Sequence, residues 1–172
     1  MAGAYHYALA LGSNRRHAHY GAPANVLAAA LCALEAARCE IIAVAKTMHT
    51  NPVGPSSRRY ANNAALITTY KEPQELLTLC KVIESQFGRR IGQRWSQRTL
   101  DIDIILWSGG AFVAPELVIP HTLFRARDFV LKPLETIIPD WRDPLTNFTI
   151  RQLLAQLQKK NAKVVDRRAN PD

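Results

Sequence analysis

Cysteine is scarce: Cys32, Cys39 and Cys80 are an odd number, lack metal-ligand spacing and sit among alanines and leucines. That argues against a disulfide framework and leaves buried free thiols in a reducing compartment as the expectation. No apolar run approaches the ~18 residues that a membrane span needs. The first residues also lack a basic segment followed by a sustained apolar one, so a cytoplasmic protein without a membrane partner is expected. Acidic residues are the minority charge, 14 Asp and Glu against 22 Lys and Arg, for a formal charge of +8 and a pI near 9.8. Such an excess implies an anionic partner, whether nucleic acid, a membrane surface or a polyphosphate ligand, and does not choose among them. With 172 residues, 48% of them hydrophobic, one domain can bury a core without disulfides or a structural metal.

The densest chemistry lies between Arg89 and Leu106. Arg89, Arg90, Arg94 and Arg98 crowd a loop that runs into Leu100-Asp101-Ile102-Asp103-Ile104-Ile105-Leu106. Strand periodicity puts Asp101 and Asp103 on one face, with Leu100, Ile102 and Ile104 on the other. Two carboxylates held that close repel unless a cation sits between them, and an oxygen-rich pair at the mouth of a strand suits Mg²⁺. The arginines supply planar donors that match phosphate oxygens two at a time. Without a function, the arginines would be a solvated face and the Asp pair an edge charged against aggregation. Their combination, followed at once by Ile-Ile-Leu that must be buried, favours a metal and polyphosphate site, the ATP end of an active site.

Around that stretch the chain alternates strands and helices. Residues 5–11 read as a first strand delivering the turn Gly12-Ser13-Asn14. Pro23 opens a helix in which Val26, Leu27, Ala30, Leu31, Leu34 and Ala37 recur at helical spacing, ending near Cys39. A second strand is expected over 41–48 and a third over 64–69, with a loop of two prolines and a glycine at 50–60 between them. Pro73 opens a second helix bearing Leu76, Leu77, Leu79, Cys80, Ile83 and Phe87, stopped by Gly88. Glu84 falls in its last turn, where the helix dipole disfavours a carboxylate unless a cation compensates. The strand at Asp101 completes the order β-α-β-β-α-β, a ferredoxin-like α+β sandwich with two helices on one face of an antiparallel sheet and extra C-terminal helices. From Asp140 the chain reads as peripheral. A short helix over 150–157 closes a domain spanning 1–158, and the basic tail 159–172 is expected to be disordered.

Arg94-Trp95-x-x-Arg98-Thr99-Leu100-Asp101-Ile102-Asp103-Ile104-Ile105 resembles the signature of the 6-hydroxymethyl-7,8-dihydropterin pyrophosphokinase family, folate-pathway enzymes that move pyrophosphate from ATP to a pterin alcohol. Leu11-Gly12-Ser13-Asn14, Tyr60-Ala61-Asn62 and Pro120-His121 with Arg127-x-Phe129-x-x-x-Pro133-Leu134 are similar to further family motifs, so the resemblance runs from Leu11 to about Trp141. It implies catalytic Arg89, Arg94, Arg98, Asp101 and Asp103, with two Mg²⁺ on Asp101 and Asp103. It implies ATP contacts from Glu84, Arg89, Trp95, Arg98, His121 and Arg127. A pterin pocket would comprise Thr50, Pro52, Val53, Tyr60, Asn62 and Phe129, with Phe129 stacking on the ring. Asn62, offering donor and acceptor together, suits the pyrimidinone edge. Each has a plainer alternative: Tyr60 a half-buried core ring, Asn62 a strand-initiating turn residue, His121 a satisfied surface histidine, Phe129 ordinary helix core.

Three positions depart from the family pattern. Ser96-Gln97 stands where relatives usually have Gly-Pro, which loosens the approach to Arg98 without removing a donor. Thr122 falls where some have Tyr. The implied activity is transfer of pyrophosphate from ATP to 6-hydroxymethyl-7,8-dihydropterin with release of AMP, by a monomer. One rival is a weakly active pterin-binding relative, suggested by Ser96-Gln97. The other is a nucleic-acid-binding ferredoxin-like module, suggested by the net charge; residues 5–11 and 101–107 lack the aromatic pattern on which such modules stack bases.

Overall fold

Two strands that are apolar on both faces, β1 (Tyr5–Ser13) and β4 (Tyr60–Thr69), form the middle of the sheet. The computed structural model describes residues 3–50, 59–88 and 99–169. Within them the remaining elements are α1 (Pro23–Ala36), β2 (Glu40–Val44), β3 (Met48–Thr50), α2 (Pro73–Gln86), β5 (Asp101–Trp107), β6 (Phe112–Ala114), β7 (Leu117–Ile119), a 3-10 turn (Phe124–Ala126), α3 (Asp128–Ile137) and α4 (Ile150–Ala169). The strands are ordered β2-β4-β1-β5, with β3 also on β4 and every pairing antiparallel. The result is a mixed α and β fold with an antiparallel sheet and four helices. No described helix is long and apolar enough to cross a membrane.

The first face of the sheet carries Tyr7, Leu9, Leu11, Ala65, Ile67, Ile102 and Ile104 against Val26, Leu27 and Leu34 of α1 and Leu76, Cys80 and Ile83 of α2. Proline at the first position starts both helices, and α2 adds a reciprocal cap in which the Glu72 N–H donates to Glu75 Oε2 at 2.8 Å. The second face carries Ala8, Ala64, Ile105 and Leu106 against Val130, Leu131 and Leu134 of α3 and Ile150, Leu153 and Leu154 of α4. Each fully buried leucine or isoleucine of this kind contributes about 1.5–3 kcal/mol. The sequence placed helices on one face only. Small apolar residues on the outer pleat of β1 and β4, where a solvated sheet would carry polar ones, explain why both faces are covered.

Other expectations also shift. The strand expected over 41–48 splits into β2 and β3 around buried Ala45. The β4 strand begins at Tyr60, before the expected 64, because Thr50, His49 and Met48 of β3 pair with Tyr60, Ala61 and Asn62. The β6–β7 hairpin was not expected. Helix α4 runs to Ala169 instead of closing near Leu157 ahead of a disordered tail; Gln158, Lys159, Lys160, Ala162 and Lys163 are good helix formers, and no glycine or proline interrupts them. Nor is the chain beyond Asp140 peripheral, since Asp143 is fully buried.

Candidate active site

Three rows of side chains cross the second face where β4, β1 and β5 run side by side. The first row is Leu66, Ala8 and Leu106; the second Ala64, Ala10 and Asp103; the third Asn62, Gly12 and Asp101. A register shift between Ala8 and Leu9 leaves Ile105 as an extra residue on β5. Both Ile105 and Leu106 therefore reach the apolar half while Asp101 and Asp103 keep their common face. Glycine and alanine in the middle strand leave open space between the aspartates and Asn62. A side chain at Gly12 would put its first carbon 3.3 Å from Asn62 Oδ1, tight enough that the amide would have to shift by a few tenths of an ångström.

That space is a cavity of about 730 Å³. Of the residues nominated from sequence, Thr50, Tyr60, Asn62, Asp101, Asp103, Arg127 and Phe129 line it together. Asn62 is buried and donates Nδ2–H to Thr50 Oγ1 at 2.9 Å, which keeps its second N–H and its oxygen available. Arg127, the last residue before α3, brings Nη1 to 3.9 Å from Asp103 Oδ2 and its guanidinium to 5.8 Å from the Phe129 ring centroid. Both side chains of that ion pair are about one-third exposed, so solvent screens it and it contributes little stability. Behind Arg127, Arg125 grips Asp143 with Nε and Nη2 at 2.7 Å each. Burial works to raise the Asp143 pKa, but the hydrogen bonds from Arg125 and Thr146 outweigh it and hold the carboxyl below its ordinary range.

Two nominated residues do not line the cavity. Glu84, expected near nucleotide, is buried and accepts the Ile102 N–H on Oε1 at 2.8 Å. His121 donates its backbone N–H to the Ile105 carbonyl at 3.1 Å, and its Nδ1 accepts the Leu123 N–H at 3.2 Å. Both are thus tied to the β5 backbone. Arg89, Arg94, Trp95, Arg98, Pro52 and Val53 lie outside the described residues, as do Ser96 and Gln97. Sequence reasoning left Ser13, Asn14, Asn63 and Asp128 off the site, and all four line it. The strand-ending turn Gly12-Ser13-Asn14 was a usable signal; Asn63 and Asp128 had none.

The donor set fits a hard divalent cation bound with a polyphosphate. Among the described residues no group of three or more His, Cys, Asp and Glu forms a cage. Asp101 and Asp103 would supply the protein oxygens, leaving the other positions to phosphate and water, as Mg²⁺ prefers.

Residues 8–139 match the family model for 7,8-dihydro-6-hydroxymethylpterin-pyrophosphokinase. The chain is 35% identical to a 2-amino-4-hydroxy-6-hydroxymethyldihydropteridine pyrophosphokinase of Methylorubrum extorquens, covering 92% of this chain and 97% of that one. It is 37% identical to the Pseudomonas aeruginosa protein of the same name, over 79% and 82%. A Synechocystis relative of that name is 39% identical, and there the match spans 60% of this chain and about half, 53%, of the relative. In fold the chain resembles Plasmodium falciparum HPPK-DHPS, with a TM-score of 0.74 at 15% identity, covering 94% of this chain and 46% of that one.

Proposed function

This chain belongs to the 7,8-dihydro-6-hydroxymethylpterin-pyrophosphokinase family, and from that premise we infer that it transfers pyrophosphate from ATP to 6-hydroxymethyl-7,8-dihydropterin in folate biosynthesis. The observation that carries the inference is one cavity gathering a carboxylate pair, a guanidinium, an oriented amide and two aromatic residues. The core is read as ferredoxin-like, supported by the strand order β2-β4-β1-β5, and the catalytic unit as a monomer spanning residues 1–158.

Tyr60 and Phe129 clamp the pterin ring, and Asn62 bonds its edge with the N–H and oxygen that Thr50 leaves available. Arg127, with Arg89, Arg94 and Arg98, balances triphosphate charge, and Trp95 flanks the nucleotide. Asp101 and Asp103 would hold two Mg²⁺ ions, which would supply charge neutralisation and Lewis-acid polarisation of the polyphosphate. The pterin hydroxymethyl oxygen bonds to the β-phosphorus as the bond from that phosphorus to the α–β bridging oxygen breaks. AMP leaves, and the hydroxyl proton passes to solvent. No protein nucleophile is needed, because alignment and charge balance lower the barrier.

The test is AMP release from Mg-ATP and 6-hydroxymethyl-7,8-dihydropterin, with thermal stabilisation by each ligand measured alongside. AMP formed in step with pyrophosphorylated pterin is the expected result. Stabilisation by both ligands without AMP would reduce the protein to a pterin-binding relative, and stabilisation by neither would overturn the inference.

A further inference from the structure

We propose that Glu84 is a positioning residue that fixes the Asp101 and Asp103 carboxylates through the backbone between them, a role that rests on the pyrophosphokinase reading and adds to it. Among the described residues the β5 strand ends the sheet, with β1 as its strand neighbour in the sheet order. Ile102 sits midway between the two aspartates, and its N–H is taken by Glu84 Oε1 at 2.8 Å from the last turn of α2. The Ile102 N–H shares a rigid plane with the Asp101 carbonyl. Holding that plane sets the direction in which the Asp101 side chain leaves the strand, and the Ile102 side chain, buried in the core, anchors the next unit leading to Asp103. What the Ile102 N–H needs is a side-chain oxygen acceptor, and the length of the Glu84 side chain is what lets Oε1 reach it from α2. The same turn of α2 leads through Phe87 and Gly88 to the segment bearing Arg89. Glu84 therefore ties the carboxylate strand to the helix from which the arginines depart, while the nucleotide meets other groups.

Three full-length variants separate bond from charge. Glu84→Gln keeps an oxygen acceptor and loses the charge; Glu84→Asp keeps the charge and falls short of Ile102; Glu84→Ala loses both. The measurements are the Mg²⁺ concentration giving half-maximal ATP affinity, AMP affinity without metal, and amide exchange at Ile102 in the metal-free protein. Outer partners that orient metal ligands are commonly worth about 10- to 100-fold in metal affinity. The Mg²⁺ requirement should rise by that factor in Glu84→Asp and Glu84→Ala, with faster exchange at Ile102 and unchanged AMP affinity, while Glu84→Gln stays near wild type. Should Glu84→Ala not fold, the Asp and Gln variants carry the comparison. Equal impairment of Gln and Asp, an unmoved Mg²⁺ requirement, or weaker AMP binding in the Asp variant would each overturn the proposal, the last by making Glu84 a nucleotide contact. Failure of the wild-type protein to bind Mg-ATP would strike the pyrophosphokinase reading instead.

Discussion

Asp143 is fully buried, and its two oxygens take Nε and Nη2 of Arg125 at 2.7 Å, the Thr146 hydroxyl, and the Leu145 N–H at 3.1 Å. Replacing it with asparagine keeps the shape, removes the charge and turns one oxygen into an NH₂ that faces donors. Removing one partner of a buried pair typically costs about 3–5 kcal/mol. Arg125 is 27% exposed, so its guanidinium still reaches water, and a cost nearer ~2–3 kcal/mol is expected. At about 2–4 °C per kcal/mol for a chain of this size, the melting temperature should fall by roughly 4–12 °C. The pH dependence carries a sign. Asp143 is held below its ordinary value of 3.8 in the fold, so its contribution is complete above that value and is lost as pH falls through the lower folded one. Melting curves of wild type and Asp143→Asn should therefore lie far apart at neutral pH and converge in acid. A drop under about 2 °C at neutral pH, or a gap that widens in acid, would refute the reasoning.

The Asp pair predicts that Asp101→Asn or Asp103→Asn cuts AMP release by orders of magnitude while the metal-free melting temperature stays within about 2 °C, since the Asp103–Arg127 pair is largely screened; an active but unstable variant would contradict the metal site. Phe129→Ala or Tyr60→Ala should weaken pterin binding in calorimetry by at least the ~0.5–1.5 kcal/mol of ring stacking with little change for ATP, and intact pterin affinity in both would remove the clamp. Burial pushes the Cys80 thiol up to about 12 and raises that of Cys39, while Cys32 is exposed. A thiol reagent at about pH 8 should accordingly label Cys32 alone before unfolding and all three cysteines after it, and fast native labelling of all three would contradict the core.

The first two helices, α1 and α2, were legible because their signals are local: proline at each start, apolar residues at helical spacing, and a stop near Cys39 or Gly88. The Asp101 strand was legible from its period, and Leu100, Ile102 and Ile104 do lie in the core. What sequence could not supply was contact across the chain. Nothing local distinguishes a Glu84 aimed at ligand from one that bonds the strand 18 residues later. Asp143 looked peripheral because its partner Arg125 is equally distant, and the second helical layer was missed because Ala8 and Ala64 signal burial only once their neighbours are known.

The location of the site follows from a change within a single pleated face. Toward one end, Leu66, Ala8 and Leu106 line up across three strands, and α3 covers them. Toward the other, Asn62, Gly12 and Asp101 take the same positions. Covering them with a helix would strand an amide and a carboxylate in apolar surroundings, at a cost no packing there could offset. The helical layer therefore gives way at α3's first turn, where Arg127 and Phe129 border the open end. A strand face that turns from apolar to polar partway along, opposite a small residue in its neighbour, both ends the covering layer and leaves room for a ligand. In this chain the turn is spelled out by Ala8, Ala10 and Gly12 beside Leu106, Asp103 and Asp101.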